Sequence, residues 1–225
     1  MAIPIFITGI GTGVGKTLVA AIVTEALEAD YWKPVQTGAI VAATPEDPAG
    51  STDPTDSEWV GSRLSNPTSR IHPECYKLAL PASPHAAARQ EHVRIDMDTI
   101  VASFHALPTA NRYVIVEGAG GILVPLNDKE FMSDLALALQ AKVILVSRDY
   151  LGSINHSLLT ARACREQGLD VAGWIFNDPK GHYETEIVHW TGLPAIARVP
   201  LSGNPDAAFV RSQALEWRRD LLNRL

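Results

Sequence analysis

The chain has 225 residues, 46% of them hydrophobic, with a formal charge of −6 and a pI near 5.6. That length allows one sizeable hydrophobic core, so we predict a single domain over residues 1–225. The acidic balance and the scattered basic residues exclude a typical nucleic-acid-binding surface, and no apolar run reaches the roughly 20 residues of a membrane span. Because the amino terminus also lacks the features of a signal peptide, we expect a cytoplasmic protein without nucleic-acid or membrane partners.

Short runs of β-branched and aliphatic residues alternate with segments of helical periodicity along the chain. This alternation predicts the α/β class, in which a mostly parallel sheet is covered by helices on both faces. The near-continuous valine and isoleucine content is typical of strands buried on both sides. The predicted strands cover residues 3–8, 31–35, 113–117, 142–147 and 171–177.

Helical periodicity predicts helices over residues 16–28, 96–107, 153–167 and 206–225. We predict that Asp96 is the N-cap of the second of these helices and that Gly168, just beyond the third, is its C-cap. The stretch 44–55 is rich in Pro, Asp, Gly and Thr and is predicted to be a loop. Its length is unusual in a compact domain, which indicates ligand contact or mobility.

Cysteine and histidine residues form no recognisable metal-binding pattern. Cys75 and Cys164 are far apart and do not form a CxxC pair, which supports neither a disulfide framework nor a zinc finger. His182 and His189 are conceivable ligands, but unpatterned histidines more often have a surface or core role. We therefore expect no transition-metal site.

A glycine-rich segment, TGIGTGVGKT at residues 8–17, lies between the first predicted strand and the first predicted helix. In that position backbone N–H groups and the helix N-terminus bind anionic oxygen, which favours a phosphate-binding P-loop over a plain glycine-rich turn. Lys16 would then contact the β and γ phosphates, and the Thr17 hydroxyl would hold Mg²⁺. Five residues separate Gly9 from Gly15, one more than in the common P-loop, and the wider loop leaves room for a second ligand.

Polar residues at the ends of two further predicted strands indicate where that second ligand binds. Lys33 in KPVQTG and Glu117 in VEGAGG both lie at carboxyl ends of strands, where open α/β sheets bind ligands. A glutamate in this position commonly serves Mg²⁺, and the glycines after it allow the backbone to approach a substrate. Asp56 is a second candidate carboxylate, although the sequence equally favours Asp56 as the N-cap of a helix over residues 57–63.

The segment LGSINH at residues 151–156 follows the fourth predicted strand and opens a helix. One interpretation is purely local, with Gly152 making the turn and Ser153 capping the helix. The alternative is a ligand site, because the free N–H groups and the positive dipole end of a helix attract a carboxylate.

The motifs GIGTGVGKT, KPVQTG, VEGAGG followed by VPLND, LGSINH and GWIFND, with the segment at Asp56, resemble the dethiobiotin synthetase family. The resemblance runs in order from residue 3 to about residue 200, and the wide P-loop is itself a mark of that family. It implies a single P-loop NTPase-like domain that forms a homodimer with shared active sites. It also implies that ATP and Mg²⁺ serve to join CO₂ to 7,8-diaminononanoate, giving dethiobiotin, ADP and phosphate.

The resemblance also assigns roles to individual residues. Lys16 and Lys33 are expected to be catalytic. Two positions depart from the pattern, since many members carry an acidic residue at Gly13 and a serine at Thr37. Mg²⁺ is expected at Thr17, Asp56 and Glu117; the nucleotide at Gly13, Val14, Gly15, Lys16, Thr17, Leu18, Asn177 and Pro200; and the diamine at Thr12, Thr37 and Gly120, with its carboxylate at Gly152, Ser153 and Asn155 of the second subunit.

The main alternative function is a P-loop ATPase switch of the partitioning or metal-chaperone type, which acts through protein partners. Such switches often carry an additional lysine in the P-loop. No lysine lies between Gly9 and Gly15, and this feature favours the synthetase. A small-molecule kinase or an amidotransferase-like ligase that uses the same loop is a weaker third possibility.

Overall fold

The computed structural model of the protein describes residues 2–39, 54–180 and 183–225. Within these residues a parallel sheet has seven strands in the order β4-β2-β6-β1-β7-β8-β9, and β3 pairs with β5 in a separate two-stranded sheet. The strands are β1 (Ile3–Gly9), β2 (Asp30–Trp32), β3 (Val35–Gln36), β4 (Ile71–His72), β5 (Tyr76–Lys77), β6 (Tyr113–Gly121), β7 (Lys142–Arg148), β8 (Asp170–Asn177) and β9 (Ala195–Val199).

Helices flank this sheet, as the predicted α/β class requires. Parallel neighbours need a crossover connection, and the crossovers bring helices onto the faces of the sheet. The helices are α1 (Lys16–Leu27), α2 (Asp56–Gly61), α3 (Pro84–Gln90), α4 (Met97–His105), α5 (Met132–Ala138), α6 (Ser153–Glu166), α7 (Glu184–Thr191) and α8 (Ala207–Leu222).

The core is centred on the three middle strands β6, β1 and β7. Ile5, Phe6 and Ile7 of β1 are fully buried, because helices cover both faces of the strand. Parallel pairing of β1 with both neighbours brings the carboxyl ends of the three strands to one edge of the sheet. Residues that follow these strands are therefore gathered at that edge, although they lie far apart in the sequence.

The predicted strand over residues 31–35 is wrong in one respect. The chain leaves the main sheet after Trp32, and Val35–Gln36 pairs instead with Tyr76–Lys77. Pro34 lies at the break and has no N–H to donate to a sheet ladder. Its carbonyl accepts hydrogen bonds from the backbone N–H groups of Cys75 and Tyr76.

Most predicted helix ends are close to those in the structure. Asp96 is the N-cap of α4, as predicted, and accepts a hydrogen bond from the Thr99 N–H. The C-cap of α6 is Gln167 rather than Gly168, which follows in the left-handed region with φ of 72°. Six short elements were not predicted, because they span too few residues to show a periodic pattern: α3, α5, α7, β4, β5 and β9.

Some of the sequence predictions fall partly outside the described residues. Of the predicted loop over 44–55, only residues 54 and 55 are described, and His182 is also outside. His189 is exposed on α7, where its ring meets the edge of Trp190. No helix in the described part of the chain is long and apolar enough to cross a membrane.

Candidate active site

The glycine-rich segment forms a loop between the end of β1 and the start of α1. Gly15 is the N-cap of α1 and has a left-handed φ of 93°. A Cβ atom at Gly15 would lie 2.0 Å from Nδ2 of Asn177, so both the conformation and the available space require glycine. The first turn of α1 carries no acidic side chain, which leaves its N–H groups and positive dipole end for an anion.

A cavity of about 660 Å³ opens beside this loop at the carboxyl edge of the sheet. It collects residues from four separate segments that the sequence assigned to phosphate, metal and substrate. The predicted site residues that line it are Thr12, Gly13, Gly15, Lys16, Thr17, Lys33, Thr37, Asp56, Glu117 and Gly120.

Lys33 lies at the bottom of the cavity between two carboxylates. Its Nζ is 3.0 Å from Oε1 of Glu117 and also contacts Oδ2 of Asp56. Lys33 is 4% exposed and Glu117 is 1% exposed, so water screens this pair poorly, whereas the Asp56 side chain is partly exposed. Burial lowers the pKa of Lys33, but the two carboxylates outweigh that effect, and the pKa is raised above its usual value. Lys33 is therefore a protonated cation here.

The Thr17 hydroxyl faces the same two carboxylates. Its Oγ1 is 3.0 Å from Oδ1 of Asp56 and 2.9 Å from Oε1 of Glu117. A hydroxyl has one proton and can donate to only one of these two carboxylate oxygens. Toward the other carboxylate, two acceptor oxygens face each other with no proton between them. Two carboxylates and one hydroxyl are hard oxygen donors, and Mg²⁺ prefers such donors. The three residues therefore fit a hard divalent cation.

Lys16 lies on the P-loop side of the cavity, and its Nζ donates a 2.8 Å hydrogen bond to the Gly11 carbonyl. Burial lowers its pKa to about 8, and the nearby charge of Lys33 acts in the same direction. The carboxylates of Glu117 and Asp56 only partly oppose this effect. Among the described residues, Lys16, unlike Lys33, forms no ion pair with a carboxylate, so its ammonium is available for an anion.

Two further side chains hold Glu117 and Asp56 in place, one at a carboxylate and the other at a backbone N–H. Tyr31 is fully buried on β2 and donates a 2.8 Å hydrogen bond to Oε2 of Glu117. Burial, together with the nearby carboxylates, raises the pKa of Tyr31 well above its usual value, so the phenol stays a donor. On the other side, Oε1 of Gln36 accepts a hydrogen bond of 3.3 Å from the backbone N–H of Asp56.

The interpretation of Asp56 as an N-cap is wrong. Thr55 is the N-cap of α2 and forms a capping box with Glu58. Asp56 is the first residue of the helix, which leaves its carboxylate free to reach Thr17 and Lys33. A capping box satisfies the helix N-terminus without Asp56.

Several residues assigned to the nucleotide lie behind the loop rather than in the cavity. The side-chain amide of Asn177 donates a 2.9 Å hydrogen bond to the Val14 carbonyl. Arg148 is 3.5 Å from the Gly13 carbonyl and also pairs with Asp178. These contacts join the ends of β7 and β8 to the P-loop. Leu18 and Pro200 likewise do not line the cavity.

The LGSINH segment opens α6 and lies outside the cavity of its own chain. The interpretation of Ser153 as the cap is wrong, because Gly152 is the N-cap, with φ of 103°. Ser153 is fully buried, and its hydroxyl has no hydrogen-bond partner among the described residues. Asn155 is exposed, and the adjacent Leu151 is 95% exposed.

One wall of the cavity was missed by the sequence analysis. The segment PASP supplies it, at residues 81–84 just before and at the start of α3. Its two prolines and its serine signal a turn, but they carry no sign of a ligand. The missed lining residues are Gln36, Pro81, Ala82, Ser83, Pro84, Ala119 and Val124.

Comparison with known proteins identifies close sequence relatives. The sequence profile of the AAA domain family matches residues 4–206. An ATP-dependent dethiobiotin synthetase BioD from Cytophaga hutchinsonii is 46% identical over 183 residues, which is 81% of each chain. The BioD of Christiangramia forsetii is 40% identical over 217 residues, 96% of each chain.

Solved structures share the fold at much lower sequence identity. A ParA family ATPase from Chlorobium tepidum has a TM-score of 0.56 at 15% identity, over 95% of this chain and 98% of that chain. The septum site-determining protein MinD of Pyrococcus horikoshii, complexed with Mg-ADP, has a TM-score of 0.55 at 16% identity, over 97% of this chain and 90% of that chain. Identities this low establish a common P-loop fold and nothing further.

Proposed function

The chain belongs to the ATP-dependent dethiobiotin synthetase family, and we propose that its cavity joins CO₂ to 7,8-diaminononanoate at the expense of ATP. The enzyme is an ATP-dependent cyclo-ligase that forms dethiobiotin in biotin biosynthesis. The observation that carries the assignment of the cavity is the meeting of Lys16, Thr17, Lys33, Asp56 and Glu117 around one space. Phosphoryl transfer needs such a group, because positioning and charge stabilisation dominate its catalysis.

The proposed reaction proceeds through a carbamate. An unprotonated amine of the substrate captures CO₂, and an oxygen of the resulting carbamate attacks the γ phosphate of ATP, releasing ADP. The second amine then attacks the carbonyl carbon of this mixed anhydride, closes the cyclic urea and expels phosphate. Each step transfers a group between bound substrates, so no covalent bond to the protein is required.

The two lysines have different tasks in this scheme. Lys16 is next to the N–H groups of the P-loop and would contact the phosphates. Lys33 comes from the segment that follows β2 and would stabilise the carbamate and the transferring phosphoryl group. Thr12, Thr37 and Gly120 line the same cavity, which supports diamine binding there. Asn177 would present its remaining amide atoms to adenine, while its bond to Val14 holds the loop.

We assign the metal site to Thr17, Asp56 and Glu117. Mg²⁺ held there would neutralise charge on the phosphate oxygens during transfer. The Tyr31 hydroxyl supports this site, because its hydrogen bond to Oε2 holds the Glu117 carboxylate in place and leaves Oε1 for the cavity. Because the reaction consumes ATP, we assign the enzyme to the cytoplasm.

We also propose a homodimer with shared active sites. An apolar groove of about 330 Å³ adjoins Thr12 and is lined by Leu123 and Leu159, which are 52% and 55% exposed. Leu151 at the start of α6 is exposed as well. Burial of these side chains against a second subunit would favour association. The N-terminus of α6 would then bind the substrate carboxylate of the partner subunit, with Gly152, Ser153 and Asn155 as the contacts.

The function is tested by measuring ADP release with and without the diamine and bicarbonate. We expect release to require both, and dethiobiotin to form in equal amount. ADP release that ignores the diamine would favour a nucleotide switch of the partitioning type, whose fold this chain shares. The absence of a lysine between Gly9 and Gly15 argues against such a switch.

The shared site predicts complementation between two inactive proteins. We expect Lys16→Gln and Asn155→Ala each to impair turnover, because the first changes the phosphate side and the second the carboxylate side. Mixing them should restore activity, since some heterodimers pair two intact halves. Dethiobiotin formation after subunit exchange measures this effect, with exchange verified by mass spectrometry.

A mixture of Lys16→Gln with Lys33→Gln is the matched control, because both changes lie in the same half-site. In heterodimers of this pair each site still carries one altered lysine. The shared site is refuted when exchange is complete and the Asn155→Ala mixture is no more active than this control.

A further inference from the structure

Lys33, Asp56 and Glu117 form one cluster in which a single ammonium faces two carboxylates. The Lys33 ammonium contacts one oxygen of each carboxylate, and Glu117 uses the same Oε1 atom toward Thr17 and toward Lys33. The described residues include no group of three or more His, Cys, Asp or Glu side chains suited to a metal ion. A divalent cation at this cluster would share the two carboxylates with the Lys33 ammonium, which already pairs with both of them.

A metal ion would compete with Lys33 for the carboxylate oxygens of Glu117, because those oxygens already accept other hydrogen bonds. Oε1 of Glu117 accepts from Lys33 and lies 2.9 Å from the Thr17 hydroxyl, while Oε2 accepts from Tyr31. Both oxygens of Glu117 therefore already have partners, and a metal bound at Oε1 would share that oxygen with the Lys33 ammonium. Two cations that share these oxygens would also repel each other strongly at this depth, because screening by water is weak.

We propose that Lys33 is the resident cation of the metal site in the nucleotide-free enzyme, and that a divalent cation displaces its ammonium toward the substrate space. This inference rests on the proposed metal site. Displacement links two events, because Lys33 becomes free for the carbamate only when its carboxylate partners have accepted the metal. The cavity offers a destination, since Lys33 lines it together with Thr37 and Gly120.

The arrangement also distinguishes the two lysines. Lys16 is in the same cavity, but it donates to a backbone carbonyl and not to a carboxylate. Removal of Lys16 would leave the ligand oxygens of the metal site as they are. Removal of Lys33 would free both carboxylates, so its loss should strengthen metal binding even though it abolishes a catalytic group.

Titration of nucleotide-free protein with Mn²⁺, followed by electron paramagnetic resonance, tests the displacement. We expect Lys33→Met to bind Mn²⁺ on the order of tenfold more tightly than wild type, because the competing cation is gone. Lys16→Met is the control of equal charge change and should show a clearly smaller gain. Equal gains in the two variants would overturn the proposal, because they would reflect net charge alone, and so would an unchanged affinity in Lys33→Met.

One further measurement keeps the test decisive. Mn²⁺ binding by the wild type with ADP present reports on the metal site itself, and its absence would overturn the site and the displacement together. Binding with ADP but no gain in Lys33→Met would overturn the displacement only.

Should Lys33→Met fail to fold, the wild type is treated with N-hydroxysuccinimidyl acetate and acetylation is read by mass spectrometry. Saturating Mg²⁺ should raise acetylation of Lys33 relative to the exposed Lys129, because the displaced ammonium leaves its buried ion pairs. Unchanged relative acetylation of Lys33 at saturating Mg²⁺ would overturn the proposal.

Discussion

Lys16→Gln is expected to lower turnover on the order of 10²-fold or more, because it removes a positive charge aimed at the transferring phosphoryl group. ADP affinity should fall by about tenfold or more as well, since a hydrogen bond to a charged group contributes roughly 1.5–3 kcal/mol. Steady-state kinetics and calorimetric titration measure the two effects. Lys142→Gln is the control, because Lys142 begins β7 at the opposite edge of the sheet and pairs with Asp170.

The pH dependence of ADP binding provides an independent check on Lys16. Its pKa in the nucleotide-free protein is about 8, lowered chiefly by burial. Below pH 8 the ammonium is already present, whereas above pH 8 ADP binding must take up a proton. Affinity should therefore fall as pH rises through 8 to 9.5, by up to about tenfold per pH unit, while the Lys16→Gln variant stays flat. A parallel decline in both proteins would contradict this role.

Glu117→Gln should have the second large effect, on both turnover and stability. The change removes one of the two carboxylates beside Lys33 and leaves a buried ammonium poorly compensated. We expect a loss of about 3 kcal/mol in the free energy of unfolding. We also expect turnover to fall on the order of 10²-fold, because the proposed metal site loses a ligand. Urea unfolding and kcat/KM measure the two quantities.

Tyr31→Phe is the matched control for Glu117→Gln. It removes only the hydrogen bond to Oε2 of Glu117 and leaves Oε1 facing Thr17 and Lys33. We expect it to cost about 1.5 kcal/mol of stability, with a much smaller loss of turnover than Glu117→Gln causes. Similar turnover in the two variants would mean that Glu117 acts through folding rather than at the site.

Lys16 and Lys33 are both cations in the same cavity, but their surroundings differ. Lys16 is half-neutral near pH 8 and bonded to a carbonyl, whereas Lys33 is fully charged and held by carboxylates. A phosphate can recruit the first directly. The second becomes available when its own anionic partners are satisfied in another way. The order of metal, nucleotide and diamine binding is thus an experimental question with a physical basis in this cluster.

Features that depend on neighbouring residues were predictable from the amino-acid sequence. The phosphate loop needs glycines, a lysine and a threonine at fixed spacing between a strand and a helix, and all of these are contiguous in residues 8–17. The long strands and helices were found because each spans enough residues to show its period. The family followed from several such local motifs in order, and the relatives from Cytophaga and Christiangramia confirm it.

The partners of each polar side chain, in contrast, depend on the three-dimensional fold. Tyr31 and Glu117 are 86 residues apart, and Thr17 and Asp56 are 39 apart, so no local pattern reports their contacts. The choice between Asp56 as cap and Asp56 as ligand was settled by Thr55, which satisfies the helix N-terminus in its place. Parallel pairing brings the carboxyl ends of β1, β2 and β6 to one edge of the sheet. Because the lysines are buried there, each ammonium needs a carboxylate or a carbonyl as a hydrogen-bond partner. Which partner each lysine has depends on the distances between side chains and on their burial, and neither is visible in a short stretch of sequence.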